Sequence, residues 1–174
     1  MSRTGVRPRR LRGFLAGLLV SSCLLASASA AQAGLVFERP DGSRIKFAGA
    51  PRTWCGPWDD EVGRRSIHVG QRSARRGWEL SAVRRDLEVG RPIEFPNDFV
   101  SKRPHGALLF VADGPIEASS AEEESTGSIV FSRISCRIGA VVEFSIDAVL
   151  GSELFEGKTV RVSGTYRGQV GKRP

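Results

Sequence analysis

The chain has two histidines, His68 and His105. Zinc takes about three or four nitrogen or sulfur ligands at close spacing. Neither histidine has a cysteine or a second histidine near it, so neither reads as a metal ligand or as the base of a triad. Two acidic runs, Asp59-Asp60-Glu61 and Glu122-Glu123-Glu124, carry the hard oxygens that calcium takes. They lack the alternating ligand positions and the glycine of an EF-hand loop. The same carboxylates have the chemistry of a glycosidase pair, but that chemistry needs a fixed separation across the scissile bond, and no spacing here sets one. Both runs read as solvated loops. Cations concentrate between Arg64 and Arg91. Within that stretch Arg64, Arg65, Arg72, Arg75 and Arg76 lie close to Trp78. Guanidinium groups beside an aromatic ring suit an anionic ligand, so these six residues form a candidate patch for an anionic envelope component or glycan. The competing reading is outer-face solubility, with Glu79, Asp86 and Glu88 neutralising part of the charge. No Gly-x-Ser-x-Gly elbow, phosphate loop or dinucleotide fingerprint occurs, and no cofactor is expected.

The sharpest local pattern is Trp54-Cys55-Gly56-Pro57-Trp58. It resembles the thioredoxin active site, Trp-Cys-Gly-Pro-Cys, at four of five positions. That chemistry needs a second thiol to resolve the mixed disulfide. Trp58 stands in its place, and the surrounding chain lacks the βαβ setting of that motif. Cys55 therefore reads as one half of a structural disulfide, with Trp54 and Trp58 flanking it.

Its partner follows from the compartment. The N-terminus has a basic region ending at Arg12, an apolar run from Phe14 to about Leu25, and small residues over Ala26–Ala33. That is the layout of a secretory signal peptide, and the run is short for a membrane span. Ala31-Gln32-Ala33 places cleavage before Gly34, with Ala28-Ser29-Ala30 as a second site. Val20-Ser21-Ser22-Cys23 is similar to a bacterial lipoprotein box, which would lipidate Cys23 and anchor the chain to a membrane. The apolar Leu24 and Leu25 after it favour ordinary cleavage. Removal of residues 1–33 leaves two cysteines in an oxidising compartment, so Cys55 and Cys136 are expected to pair.

The leader also explains the charge. The chain has 174 residues, a net charge of +7 and 26 basic residues. Five of those, Arg3, Arg7, Arg9, Arg10 and Arg12, lie in the leader, which has no acid; the remaining 21 face 19 acidic residues, a net of +2. That balance, with export, argues against nucleic acid as a partner.

The elements that must position these groups are strands. In Ala140–Leu150, Val142, Phe144, Ile146, Ala148 and Leu150 share one face, against Glu143, Ser145 and Asp147. A period of two marks a half-buried strand. Ser128–Cys136 and Lys158–Tyr166 flank it, so Gly127–Gly168 reads as an antiparallel meander. Upstream, Leu35–Arg39 and Arg44–Ala48 form a hairpin across Pro40-Asp41-Gly42-Ser43. Ser66–Gly70 and Trp78–Val83 are strands, with Gln71–Gly77 as the turn between them. Arg84–Asn97 is demoted to an edge by Pro92 and Pro96. Ala107–Ala112 is a continuous apolar run, read as buried on both faces. Ala50–Gly63 and Asp113–Gly127 read as loops. The expectation is a cleaved signal peptide (1–33) and one all-β domain (34–174), an antiparallel β-sandwich or small barrel of about eight strands.

Gly127-Ser128-Ile129-Val130-Phe131, Val142-Glu143-Phe144-Ser145-Ile146 and Gly157–Tyr166 together resemble the C-terminal part of small bacterial secreted proteins and lipoproteins with β-sandwich folds. That resemblance implies location and fold, and carries over no catalytic residues. The functional expectation is a non-catalytic envelope or extracellular protein, periplasmic or secreted, serving as a binding or structural module. The alternatives are a secreted hydrolase whose carboxylates converge in the fold, and a lipocalin-like carrier of an apolar ligand.

Overall fold

The computed structural model describes residues 32–57, 65–73, 75–97, 106–152 and 158–174. The strands among them are β1 (Gln32–Ala33), β2 (Val36–Glu38), β3 (Arg44–Ile45), β4 (Arg52–Pro57), β5 (Arg65–Ser73), β6 (Arg76–Val83), β7 (Pro92–Glu94), β8 (Ala107–Asp113), β9 (Ile116–Ser119), β10 (Thr126–Arg133), β11 (Val141–Leu150) and β12 (Val160–Gln169). A single 3-10 turn at Arg84–Asp86 follows β6. They form two antiparallel sheets. The first has the order β3-β2-β12-β11-β10-β7, with β1 also paired to β12; the second has the order β4-β5-β6-β8-β9.

The meander is where alternation places it. Val142, Phe144, Ile146, Ala148 and Leu150 are all buried, as are Val160, Val162 and Tyr166 on β12. The register pairs Phe144 with Phe131 on one side and Tyr166 on the other, and the ring centroids lie 5.5 and 5.2 Å from Phe144. The second sheet covers this face with Ile67, Val69, Trp78, Leu80, Leu109 and Val111, giving one core shared by both sheets. Tyr166 crosses that core. Its hydroxyl lies 2.5 Å from Thr53 Oγ1 on β4, and Gly168, two residues on, leaves it room, since a methyl group there would overlap the hydroxyl. Burial pushes the Tyr166 phenol above its ordinary value, and the bond to Thr53 offsets part of that rise.

Several expectations change. The sheets do not close among the described residues, so the barrel alternative fails. The first half of the expected Ala50–Gly63 loop is β4, and the expected Asp113–Gly127 loop contains β9. The β5–β6 strands run through the expected Gln71–Gly77 turn, pairing as far as Ser73 with Arg76. β8 is not buried on both faces: Ala107, Leu109, Val111 and Asp113 are buried, whereas Leu108, Phe110 and Ala112 are half-buried on the outside. The hairpin at Pro40–Ser43 and the edge position of β7 agree with the sequence reading. Residues 1–31, with Cys23, lie outside the described residues. Gln32 and Ala33, which cleavage before Gly34 would remove, pair with Arg167 and Tyr166.

Candidate functional site

Cys55 and Cys136 form a disulfide, with their Cα atoms 5.6 Å apart and a sequence separation of 81. It joins β4 to the segment between β10 and β11. Cys55 therefore pairs across the fold rather than with a neighbour three residues on, and it sits in a strand. The chain after β12 holds β4 a second time: Thr53 bridges Val170, and the Gly171 amide donates to Thr53 O at 2.8 Å. Thr53 and Cys55 point to the core, so period two sends Arg52 and Trp54 to the outer face. Trp54 accordingly does not cover the disulfide. Trp58 lies outside the described residues.

Two cross-strand rows result on the outer face of the second sheet. Trp54, His68 and Ser81 form one row, and Arg52, Gly70 and Glu79 form the next. The Trp54 and His68 rings stack, with centroids 5.3 Å apart and planes 8° from parallel. His68 Nδ1 lies 2.9 Å from Ser81 Oγ and 3.5 Å from Glu79 Oε1, and Ser81 donates to Glu79 Oε1 at 3.4 Å. A Ser–His–acid relay uses opposite ring nitrogens, one facing the nucleophile and the other facing the acid. Here both partners meet Nδ1. His68 and Ser81 are also buried, so the group orients Trp54 rather than presenting a nucleophile.

Beside this cluster lies a cleft of about 630 Å³, in the size range of small-molecule sites. Arg52, Trp54, Gly70 and Glu79 line it, with Ala48, Gly49 and Ala50 as one wall and Pro174 at its margin. Gln71 fixes the wall by donating from Nε2 to Gly49 O at 2.9 Å and also to Ala48 O. Gly70 keeps the floor bare. A Cβ there would fall 2.8 Å from Trp78 O and could not be accommodated without moving the backbone. Arg52 is exposed, and no ion pair or hydrogen bond joins its guanidinium to another described residue. The sequence reading named Trp54 only as a flank of the disulfide, Glu79 only as a neutralising charge and His68 only as a rejected ligand, and it did not use Arg52 or Gly70. Outer-face alternation of β5 and β6 was the signal that pairs Gly70 with Glu79 and His68 with Ser81.

The described members of the expected anionic patch do not share one surface. Arg65 sits at one end of the β5–β6 hairpin, where Val83, Arg84 and Arg85 share a second cleft with it. Arg75 and Arg76 sit at the other end. Arg76 is committed to buried Asp113, whose Oδ1 accepts from its Nε at 2.7 Å while Oδ2 pairs with Arg39. That clamp joins the β2–β3 hairpin to the second sheet. Trp78 faces inward, packs on Phe37 and Tyr166, and is 2% exposed, so it cannot stack on a ligand. Arg64 lies outside the described residues, and only the backbone of Arg72 is described. Asp59-Asp60-Glu61 and His105 also lie outside them. Glu122, Glu123 and Glu124 occupy a turn after β9, and among the described residues no three metal-ligating side chains converge. No helix among the described residues is long and apolar enough to cross a membrane. No family model, curated protein or solved structure matches the chain.

Proposed function

We propose that this chain is a non-catalytic exported protein of the cell envelope or its surroundings, acting as a binding module through the outer-face cleft of β4, β5 and β6. Its two-sheet body is read as a β-sandwich that serves as the rigid support. The observation that carries the proposal is the arrangement at Trp54. An aromatic ring is buttressed by buried His68 and Ser81 with half-buried Glu79, set beside a bare glycine floor, and flanked by an exposed guanidinium. Buried polar groups spent on orienting one aromatic side chain suit binding, where a fixed platform lowers the ordering cost. The disulfide supports export, because such bonds persist in oxidising compartments.

Fractionation of the producing cell, followed by co-sedimentation of the purified chain with envelope material, tests this reading. The chain should appear in the exported fraction and sediment with envelope material. Trp54→Ala and Arg52→Gln should each reduce that retention at least fivefold while the melting curve of Arg52→Gln stays unchanged. A chain found only in the cytosol, or retention indifferent to both substitutions, would contradict it.

A further inference from the structure

We infer that the β4–β6 cleft takes an acidic saccharide, with a pyranose ring against Trp54 and its carboxylate on Arg52. This rests on the binding-module reading and assigns its ligand class. The geometry begins with Gly70. Arg52 and Glu79 are its two cross-strand neighbours in one row, so their Cα atoms lie about 10 Å apart, two strand spacings. With no side chain at Gly70, and none that could be added there, the row contains a slot closed at both ends by charged groups of opposite sign. Trp54 stands in the next row beside that slot, and the Ala48–Ala50 wall closes the other side.

Each boundary selects a feature of the ligand. An indole offers an apolar, polarisable face with a polar edge. A pyranose has an apolar C–H face that matches it and a rim of hydroxyls that does not. Glu79 accepts hydrogen bonds from hydroxyls, and it is already held by His68 and Ser81, so its direction is set before the ligand arrives. Arg52 is exposed and presents a planar fork that fits a carboxylate with two parallel hydrogen bonds. A uronic acid carries both features on one ring: a carboxylate at one end for Arg52, and hydroxyls at the other for Glu79. A neutral sugar would leave Arg52 without its anionic partner. A ligand with anionic groups at both ends would set one of them against Glu79.

Calorimetric titration of the disulfide-bonded chain tests the assignment. The probes are trimers of galacturonate, glucuronate and mannuronate, each beside its methyl ester, which keeps the ring and removes the charge. At least one free-acid trimer should bind ten times more tightly than its ester. Arg52→Gln should abolish that preference, leaving acid and ester alike, and Trp54→Ala should weaken both. Equal affinity of the wild-type chain for acid and ester would overturn the role of Arg52. Binding of none of the three acids would overturn the saccharide assignment. If envelope retention nonetheless depended on Trp54, the binding-module reading would stand and only its ligand class would fall.

Discussion

Removing the disulfide by Cys55→Ala with Cys136→Ala should destabilise the chain through its unfolded state. The bond encloses a loop of 81 positions. The chain-entropy relation gives an upper figure of about 4.5 kcal/mol at 25 °C for a loop of that length. Residual structure in the unfolded chain reduces this, so the expected loss is about 2–4 kcal/mol. Domains are commonly stable by about 5–15 kcal/mol, so the variant should fold, with much of its margin removed. Native β4 has other anchors: its ladder with β5, the bridge from Thr53 to Val170, and the contact of Thr53 with Tyr166. The folded spectrum should therefore stay close to wild type while the unfolding free energy drops. Urea denaturation followed by circular dichroism measures it. At a slope of about 2 kcal/mol per molar, the midpoint should move down by roughly 1–2 M. A loss under about 1 kcal/mol would refute the loop-entropy reasoning, and so would a large loss accompanied by a disordered folded state.

Phe144 packs between Phe131 and Tyr166 at 2% exposure, so Phe144→Ala should cost about 3–5 kcal/mol in denaturant melts. Glu143, on the opposite face with Arg133 and Arg167 at 3.7 and 3.9 Å, should lose less than about 1 kcal/mol as Glu143→Gln; equal effects would refute the face assignment. Tyr166→Phe should cost about 1–2 kcal/mol, because Thr53 is left buried without its partner. Because folding raises the Tyr166 phenol above 10.0, the unfolded chain loses that proton first, and stability falls as pH rises from about 10. That alkaline loss should be smaller in Tyr166→Phe, and identical pH profiles would show that the phenol is not held protonated by the fold. The exported chain should begin at Gly34 by N-terminal sequencing and intact mass; a lipidated mass starting at Cys23 would contradict this.

The meander was legible because its inner face is made of large apolar residues at every second position. Phe144, Ile146, Val160 and Tyr166 could be placed without any long-range information. β4 was not legible for the opposite reason. Its core-facing positions are Thr53 and Cys55, neither strongly hydrophobic, and Pro51, Gly56 and Pro57 give a turn signal. What makes it a strand lies far off in sequence: the bond to Cys136, the bridge to Val170 and the ladder with β5. β9 failed similarly, since only Ile116 and Ala118 face inward in a Ser- and Glu-rich stretch. Trp78 was assigned to a ligand patch by its charged neighbours, although its own alternation with Leu80 and Ala82 pointed to the core. The disulfide was readable because the expected leader cleavage leaves two cysteines and so one pairing. The cleft was not, because its wall, floor and margin come from residues 48–50, from 70, 71 and 79, and from 174.

The central claim is that the outer face of β4, β5 and β6 is the binding surface. Amide spectra of the isotope-labelled, disulfide-bonded chain, recorded while solubilised envelope polysaccharide is added, test it most directly. Saturable shifts are expected at Arg52, Gly70, Gln71, Glu79 and the Trp54 indole N–H, with Arg65, Arg84 and Glu123 unmoved. Shifts centred on Arg65 and Arg84, or no saturable shift on that face at all, would contradict it.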